Sequence, residues 1–167
     1  MILRSLPLRF AVASFVLAGI AAAFFLYRFP NPRGSISSGV LRLDDAVMLK
    51  RGAQIYQAQC ASCHGERLEG QANWRERGIH GRLPAPPHDQ NGHTWHHPDD
   101  VLIRLTKEGV AKAVGLTDYA SSMPAFGESL SDADIVAVLS WIKSRWSPEI
   151  QAHHDEINRQ ASKQYQR

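Results

Sequence analysis

Apolar and polar positions divide the chain into unlike stretches. Residues 10–27, FAVASFVLAGIAAAFFLY, form a run of 18 without a charge, preceded by Arg4 and Arg9 and closed by Arg28. That length suits a transmembrane helix, which needs about 17–25 apolar residues, better than a signal peptide, whose apolar region is about 7–15. Cleavage at Ala21–Ala23 would also leave FFLYRF as an apolar terminus. Residues 1–29 therefore read as an anchor, with a cleaved signal peptide as the alternative. Residues 30–43 open on PNPRGSISSG and read as a linker with no face to bury. Fully extended at ~3.3 Å per residue, that linker reaches about 45 Å.

Helical spacing appears three times in residues 44–147, the expected globular domain. DDAVMLKRGAQIYQAQ carries acids at its start, where they favour a helix N-terminus. Gly52 in its middle costs about 1 kcal/mol against alanine, which suggests a close helix crossing. HPDDVLIRLTKEG has Pro98 and two acids ahead of Leu102, Ile103 and Leu105, and stops at Gly109. A third helix starts at Ser131, with Asp134 three residues on as in a capping box. Its Ile135, Val138, Leu139, Ile142 and Trp146 fall on one face, and Pro148 is expected to end it. Between them, residues 65–97 are irregular and rich in Gly, Pro and His, a pattern typical of functional loops. Residues 148–167 read as a polar tail, either a solvated helical extension or unstructured.

The fold class is thus all-α, with three helices and few apolar positions for the length. Domains of this size need a dense core or a staple, so something else is expected to fill the middle.

Charge changes the picture only by its distribution. The formal net charge is +3. Residues 1–43 hold five arginines and no acid, residues 44–147 hold 11 basic and 13 acidic side chains, and residues 148–167 hold three of each. The positive excess flanks the apolar run, so the globular part gives no support to nucleic-acid binding.

Both cysteines lie in CASCHG, at Cys60 and Cys63, with His64 directly after. A disulfide closing so short a loop would stabilise little. A thioredoxin-like pair wants a βαβ context, which is not visible. Zinc wants four ligands, and there is no second CxxC. C-x-x-C-H is the spacing of c-type haem attachment. Two thiols add across the two vinyl groups of one haem, and the next histidine reaches the iron. A haem would also be the missing core.

The second face of the iron needs a ligand. Met123, in SSMPAF and stiffened by Pro124, is favoured, since His/Met pairs are a standard haem arrangement. A buried core methionine is the bland alternative. His80, His88, His93, His96 and His97 compete for the same role, or form a polar loop at the haem edge, or bind another metal. Trp95 has an indole N–H able to reach a haem propionate, or simply packs.

GAQIYQAQCASCHG and MPAFGESLSDADIVAVLSWI resemble the class I cytochromes c across residues 44–146. The resemblance implies an all-α fold wrapped around one covalent haem c, with the first and last helices crossing at Gly52 and Tyr56 against Leu139 and Trp141. It implies thioethers at Cys60 and Cys63, axial ligands His64 and Met123, and a proline carbonyl on His64 from Pro86 or Pro87. The histidine-rich loop at 88–97 and the tail depart from the family pattern.

The function expected is a monohaem electron carrier, not an enzyme, tethered to the bacterial inner membrane with its N-terminus cytoplasmic and its haem domain periplasmic. Its expected partners are redox proteins: a quinol–cytochrome c reductase, a dehydrogenase or a terminal oxidase. The alternatives are an electron-accepting haem subunit of a periplasmic dehydrogenase or oxidase complex, and a haem-based sensor. Peroxidase chemistry fits poorly, because it needs an open iron site.

Overall fold

The computed structural model describes residues 39–116 and 119–166. The expected anchor, and the linker as far as residue 38, lie outside them. Among the described residues no helix is long and apolar enough to cross a membrane, and none forms a strand.

Helix α1, Ala46–Ile55, starts where the Asp45 carboxylate accepts the Met48 N–H at 2.9 Å. It runs without a break into a π-helical turn, Tyr56–Cys60, in which the Ala61 N–H reaches back to the Tyr56 carbonyl. Helix α2, Ala61–His64, follows and stops at Gly65, whose φ of 81° suits glycine. A single 3₁₀ turn, Thr94–His96, interrupts the long loop. Helix α3 is Asp99–Glu108, α4 the short Val110–Ala113, α5 Asp132–Ser144 and α6 Pro148–Tyr165.

The expected capping box at Ser131 is realised in part. Its Oγ accepts the Asp134 N–H at 3.2 Å and donates to the Asp134 carboxylate at 2.9 Å. Pro98 is the N-cap of α3 rather than part of its first turn.

Helices α1 and α5 cross at Gly52. A methyl there would sit 2.7 Å from the Ala137 carbonyl carbon and 2.8 Å from the Trp141 Cβ, so only glycine permits this approach. One turn on, the Tyr56 ring lies 4.7 Å from the Trp141 ring. Ile55, Tyr56, Leu102, Ile135, Val138, Leu139, Ile142 and Trp146 make one buried cluster around the crossing. The crossing thereby holds the Cys60–His64 turn at the end of α1.

Two boundaries differ from the sequence expectation. The first is the end of the linker. Leu41 is fully buried, its N–H donates to Asp99 Oδ2 at 3.0 Å, and the Arg42 N–H donates to Ser140 Oγ at 3.0 Å. Residues 39–43 therefore belong to the fold, held by backbone bonds that hydropathy does not register.

The second is the C-terminal tail. Pro148 does not end α5; it opens α6, behind the Ser147 N-cap. Residues 148–165 are one helix docked on the domain by polar groups. His154 Nε2 donates to the His97 carbonyl at 2.9 Å. Asn158 accepts the Asp99 N–H at 2.8 Å and donates to its carboxylate at 3.0 Å. Lys143, with no exposed surface, pairs with Asp155 at 2.5 Å. The residues α6 buries, His154 and Asn158, are polar, and Ile150 is the apolar side chain it packs on the core, which is why its sequence resembles a solvated tail.

Candidate haem site

Cys60, Cys63 and His64 lie on one helical turn, with both thiols free and Cys63 exposed. A π turn places an extra residue in its ring, and such turns recur at functional sites. Here it ends on Cys60, which is half-buried and packs against the core cluster that includes Ile55. Burial, with the Cys63 thiol beside it, pushes the Cys60 thiol up to about 11.

His64 is buried, and its Nδ1 meets the Pro86 carbonyl at 2.8 Å. Of the two prolines considered, it is Pro86 that makes this bond. The contact assigns the proton to Nδ1 and leaves Nε2 with its lone pair. Burial holds His64 below its ordinary value, so it is neutral, as an iron ligand must be.

The chain around this histidine is closely drawn. The Tyr56 hydroxyl donates to the Gly65 carbonyl at 2.7 Å, and the Gly70 N–H donates to the His64 carbonyl at 2.7 Å. A methyl on Gly70 would lie 2.5 Å from the Pro87 nitrogen. The 65–70 turn is thus folded against the Pro86–Pro87 segment, which fixes the carbonyl that His64 uses.

His88 stacks flat on His64, ring centroids 3.9 Å apart and planes 24° apart. A ligand across an iron from His64 would lie along the Nε2 direction, in the plane of the imidazole. A ring on the imidazole's face cannot occupy that place, so His88 is removed from the competition for the second axial position. His93 stacks on Trp74 and meets His97 edge-on. His96 stacks on Trp95 at 3.6 Å. Among the described residues no group of three or more metal-ligating side chains is assembled, so the idea of a second metal in this loop has no built site.

Met123 comes from a separate segment, residues 119–125, and is half-buried. That segment is sewn to α3 beyond Met123, where the Phe126 N–H bonds the Thr106 carbonyl at 3.0 Å and the Gly127 N–H the Lys107 carbonyl at 2.9 Å. No hydrogen bond or ring contact joins the Met123 side chain to His64 among the described residues. Trp95 differs. Its Nε1 is buried with no hydrogen-bond partner, the one such side-chain atom among the described residues. A buried N–H left unpaired costs about 1–3 kcal/mol, so this one points to an acceptor that the polypeptide does not supply.

These residues fit a covalently attached haem: two free thiols at the right spacing, a neutral imidazole with Nε2 uncommitted, and an orphan donor suited to a propionate. What the sequence reading missed is His88 as a neighbour of His64. Its only signal was its position two residues after Pro86.

An all-α fold whose crossing helices present a C-x-x-C-H turn, with the histidine braced by a proline carbonyl, is that of a c-type cytochrome, an electron-transfer class that carries covalent haem c. Residues 47–142, more than half of the chain, match the family described as Cytochrome C oxidase, cbb3-type, subunit III, and the chain belongs to that family. No curated protein and no solved structure matches it.

Proposed function

We propose that this chain is a monohaem carrier of single electrons, with thioethers at Cys60 and Cys63, His64 Nε2 as proximal ligand and Met123 as distal ligand. The observation that carries the reading is the His64–Pro86 contact beside two free thiols. A haem held there supplies an iron that cycles between ferrous and ferric. The chain's own groups do the rest: Pro86 orients the imidazole, Trp95 offers a donor to a propionate, and the α1–α5 crossing keeps the attachment turn in place. Methionine ligation and burial raise the potential, as suits delivery towards an oxidase.

We place the domain in the periplasm, tethered to a bacterial inner membrane by residues 1–29, because haem is attached to cysteines on the outer side of that membrane. The family description favours one further reading: the chain serves as an electron-accepting subunit inside an oxidase complex rather than as a free shuttle.

The test is the near-red spectrum of the ferric, haem-loaded chain purified from membranes. A weak sulfur-to-iron band that disappears in Met123→Ala supports His/Met ligation. A wild-type spectrum lacking it removes Met123 as ligand. Recovery of the chain in the soluble fraction would refute the tether, and co-purification with oxidase subunits would favour the subunit reading.

A further inference from the structure

Beyond its covalent root at Cβ, His64 is held at two points in the proposed site. Nδ1 meets the Pro86 carbonyl, and Nε2 faces the iron. A hydrogen bond tolerates a spread of angles, so the imidazole keeps some freedom to twist about its Cβ–Cγ bond.

His88 narrows that twist. Its ring lies 3.9 Å from that of His64 at 24°, close enough to block any swing towards it. His88 is itself fixed. Its Nδ1 meets Thr94 Oγ1 at 2.7 Å. Its N–H donates to the Leu68 carbonyl at 2.8 Å, and its carbonyl accepts the Trp146 indole N–H at 2.7 Å. The Tyr56 ring meets it edge-on, centroids 6.5 Å apart and planes at 70°. The Leu68 and Trp146 bonds tie its backbone to the haem-motif loop and to the segment just after α5.

A leucine would fill similar space but offer neither a flat face nor an atom for Thr94. The combination is specific to a planar side chain anchored through a ring nitrogen. Groups that orient a metal ligand tune the metal as surely as the ligand itself.

We propose that His88 is a positioning residue that sets the plane of the His64 imidazole, and through it the electronic symmetry of the haem iron. The inference rests on the reading of His64 as the proximal ligand. In low-spin ferric haem the imidazole plane governs the anisotropy of the electron spin resonance signal, so that signal is the readout.

The experiment takes the haem-loaded full chain in detergent and records low-temperature spectra of ferric wild type, His88→Leu, His88→Phe and Thr94→Val, with haem attachment checked by the mass of each chain. His88→Leu is expected to shift and broaden the low-field g feature. His88→Phe, which keeps a flat face, is expected to stay closer to wild type. Thr94→Val, which keeps the ring but frees it, should broaden the feature without displacing it far.

A loaded His88→Leu with wild-type g values and linewidth overturns the proposal. If His88→Leu does not load, Thr94→Val decides, and an unchanged linewidth overturns it equally. A wild type lacking the mass of a haem refutes the reading of the site itself, an outcome separate from either of these.

Discussion

Replacing Gly52 by alanine isolates the contact on which the site's placement depends. The new methyl would lie 2.7 Å from the Ala137 carbonyl carbon, against 3.4 Å at the near edge of ordinary contact. The helices must separate by about 0.7 Å there, and by more to clear the carbonyl oxygen. The obstructing atoms are backbone atoms of α5 and the Cβ of Trp141, none of which can rotate away. Overpacking of this kind costs about 1–3 kcal/mol, occasionally more. Alanine returns about 1 kcal/mol of helix propensity. With rigid obstacles the overpacking lies at the upper end, leaving a net loss of about 2 kcal/mol. For a domain the size of the described part of the chain, that is roughly 6–10 °C of melting temperature, at ~3–5 °C per kcal/mol. The assay is thermal unfolding of the haem-loaded chain followed by circular dichroism at 222 nm. Gly78→Ala is the control, since its methyl would meet nothing nearer than the Arg82 carbonyl oxygen at 3.7 Å. A Gly52→Ala chain melting with that control would refute the argument that the crossing requires glycine.

Trp95→Phe keeps the stacked ring and loses the orphan N–H; a propionate that had accepted it should titrate about one pH unit higher, at ~1.4 kcal/mol per unit, seen as a displaced bend in the plot of midpoint potential against pH. An unmoved bend would mean that the indole faces no carboxylate. Asn158→Ala strips Asp99 of a donor and leaves its buried N–H unpaired, for about 1–3 kcal/mol; amide exchange across residues 148–165 should quicken about tenfold per 1.4 kcal/mol, and unchanged exchange would show that α6 is held otherwise. His154 predicts a pH dependence. Burial, with Lys143 beside it, holds its pKa below the ordinary 6.5, against the opposing pull of Asp99, Asp155 and the His97 carbonyl. The unfolded chain therefore binds the proton first, and stability present above pH 6.5 is lost as pH falls below it. Urea midpoints at pH 7 and pH 5 should differ less in His154→Gln than in wild type; equal differences would remove His154 as the source.

The sequence exposes what depends on pattern and hides what depends on polar burial. Ser131, Ile135, Val138 and Leu139 announce α5, because a cap and an apolar stripe are local signals. Cys60, Cys63 and His64 announce the attachment turn, because the chemistry fixes their spacing. Gly52 could be placed at a crossing because glycine in a helix needs a reason. Helix α6 was hidden for the opposite cause: His154 and Asn158 are buried, yet each is polar and is satisfied by a partner far away in the chain, and its Asp155 is met by the buried Lys143 of α5. A hydropathy pattern scores such residues as solvent-facing. Leu41 and Arg42 escaped for a related reason, since backbone N–H groups made the docking bonds. His88 was visible as a histidine, but only folding placed its ring on that of His64.

These hidden contacts converge on one segment. Residues 86–99 leave Pro86 at His64 and end on Asp99, and three side chains fasten them on the way. The Trp146 indole bonds the His88 carbonyl, His154 bonds the His97 carbonyl, and Asn158 bonds Asp99 through both its oxygen and its nitrogen. Two of these come from α6, and the third from the turn that leads into it. Asp99 also receives the Leu41 N–H, so the strand of chain arriving from residue 39 is tied to the same point. A short loop between C-x-x-C-H and α3 would need no such bracing. A loop as long as residues 65–97 carries a large entropic cost for holding one conformation, and without bracing the Pro86 carbonyl and the His88 ring would have no fixed positions. The polar α6 offsets that cost. Its removal should therefore act first on the geometry around His64, and only then on the helices that surround it.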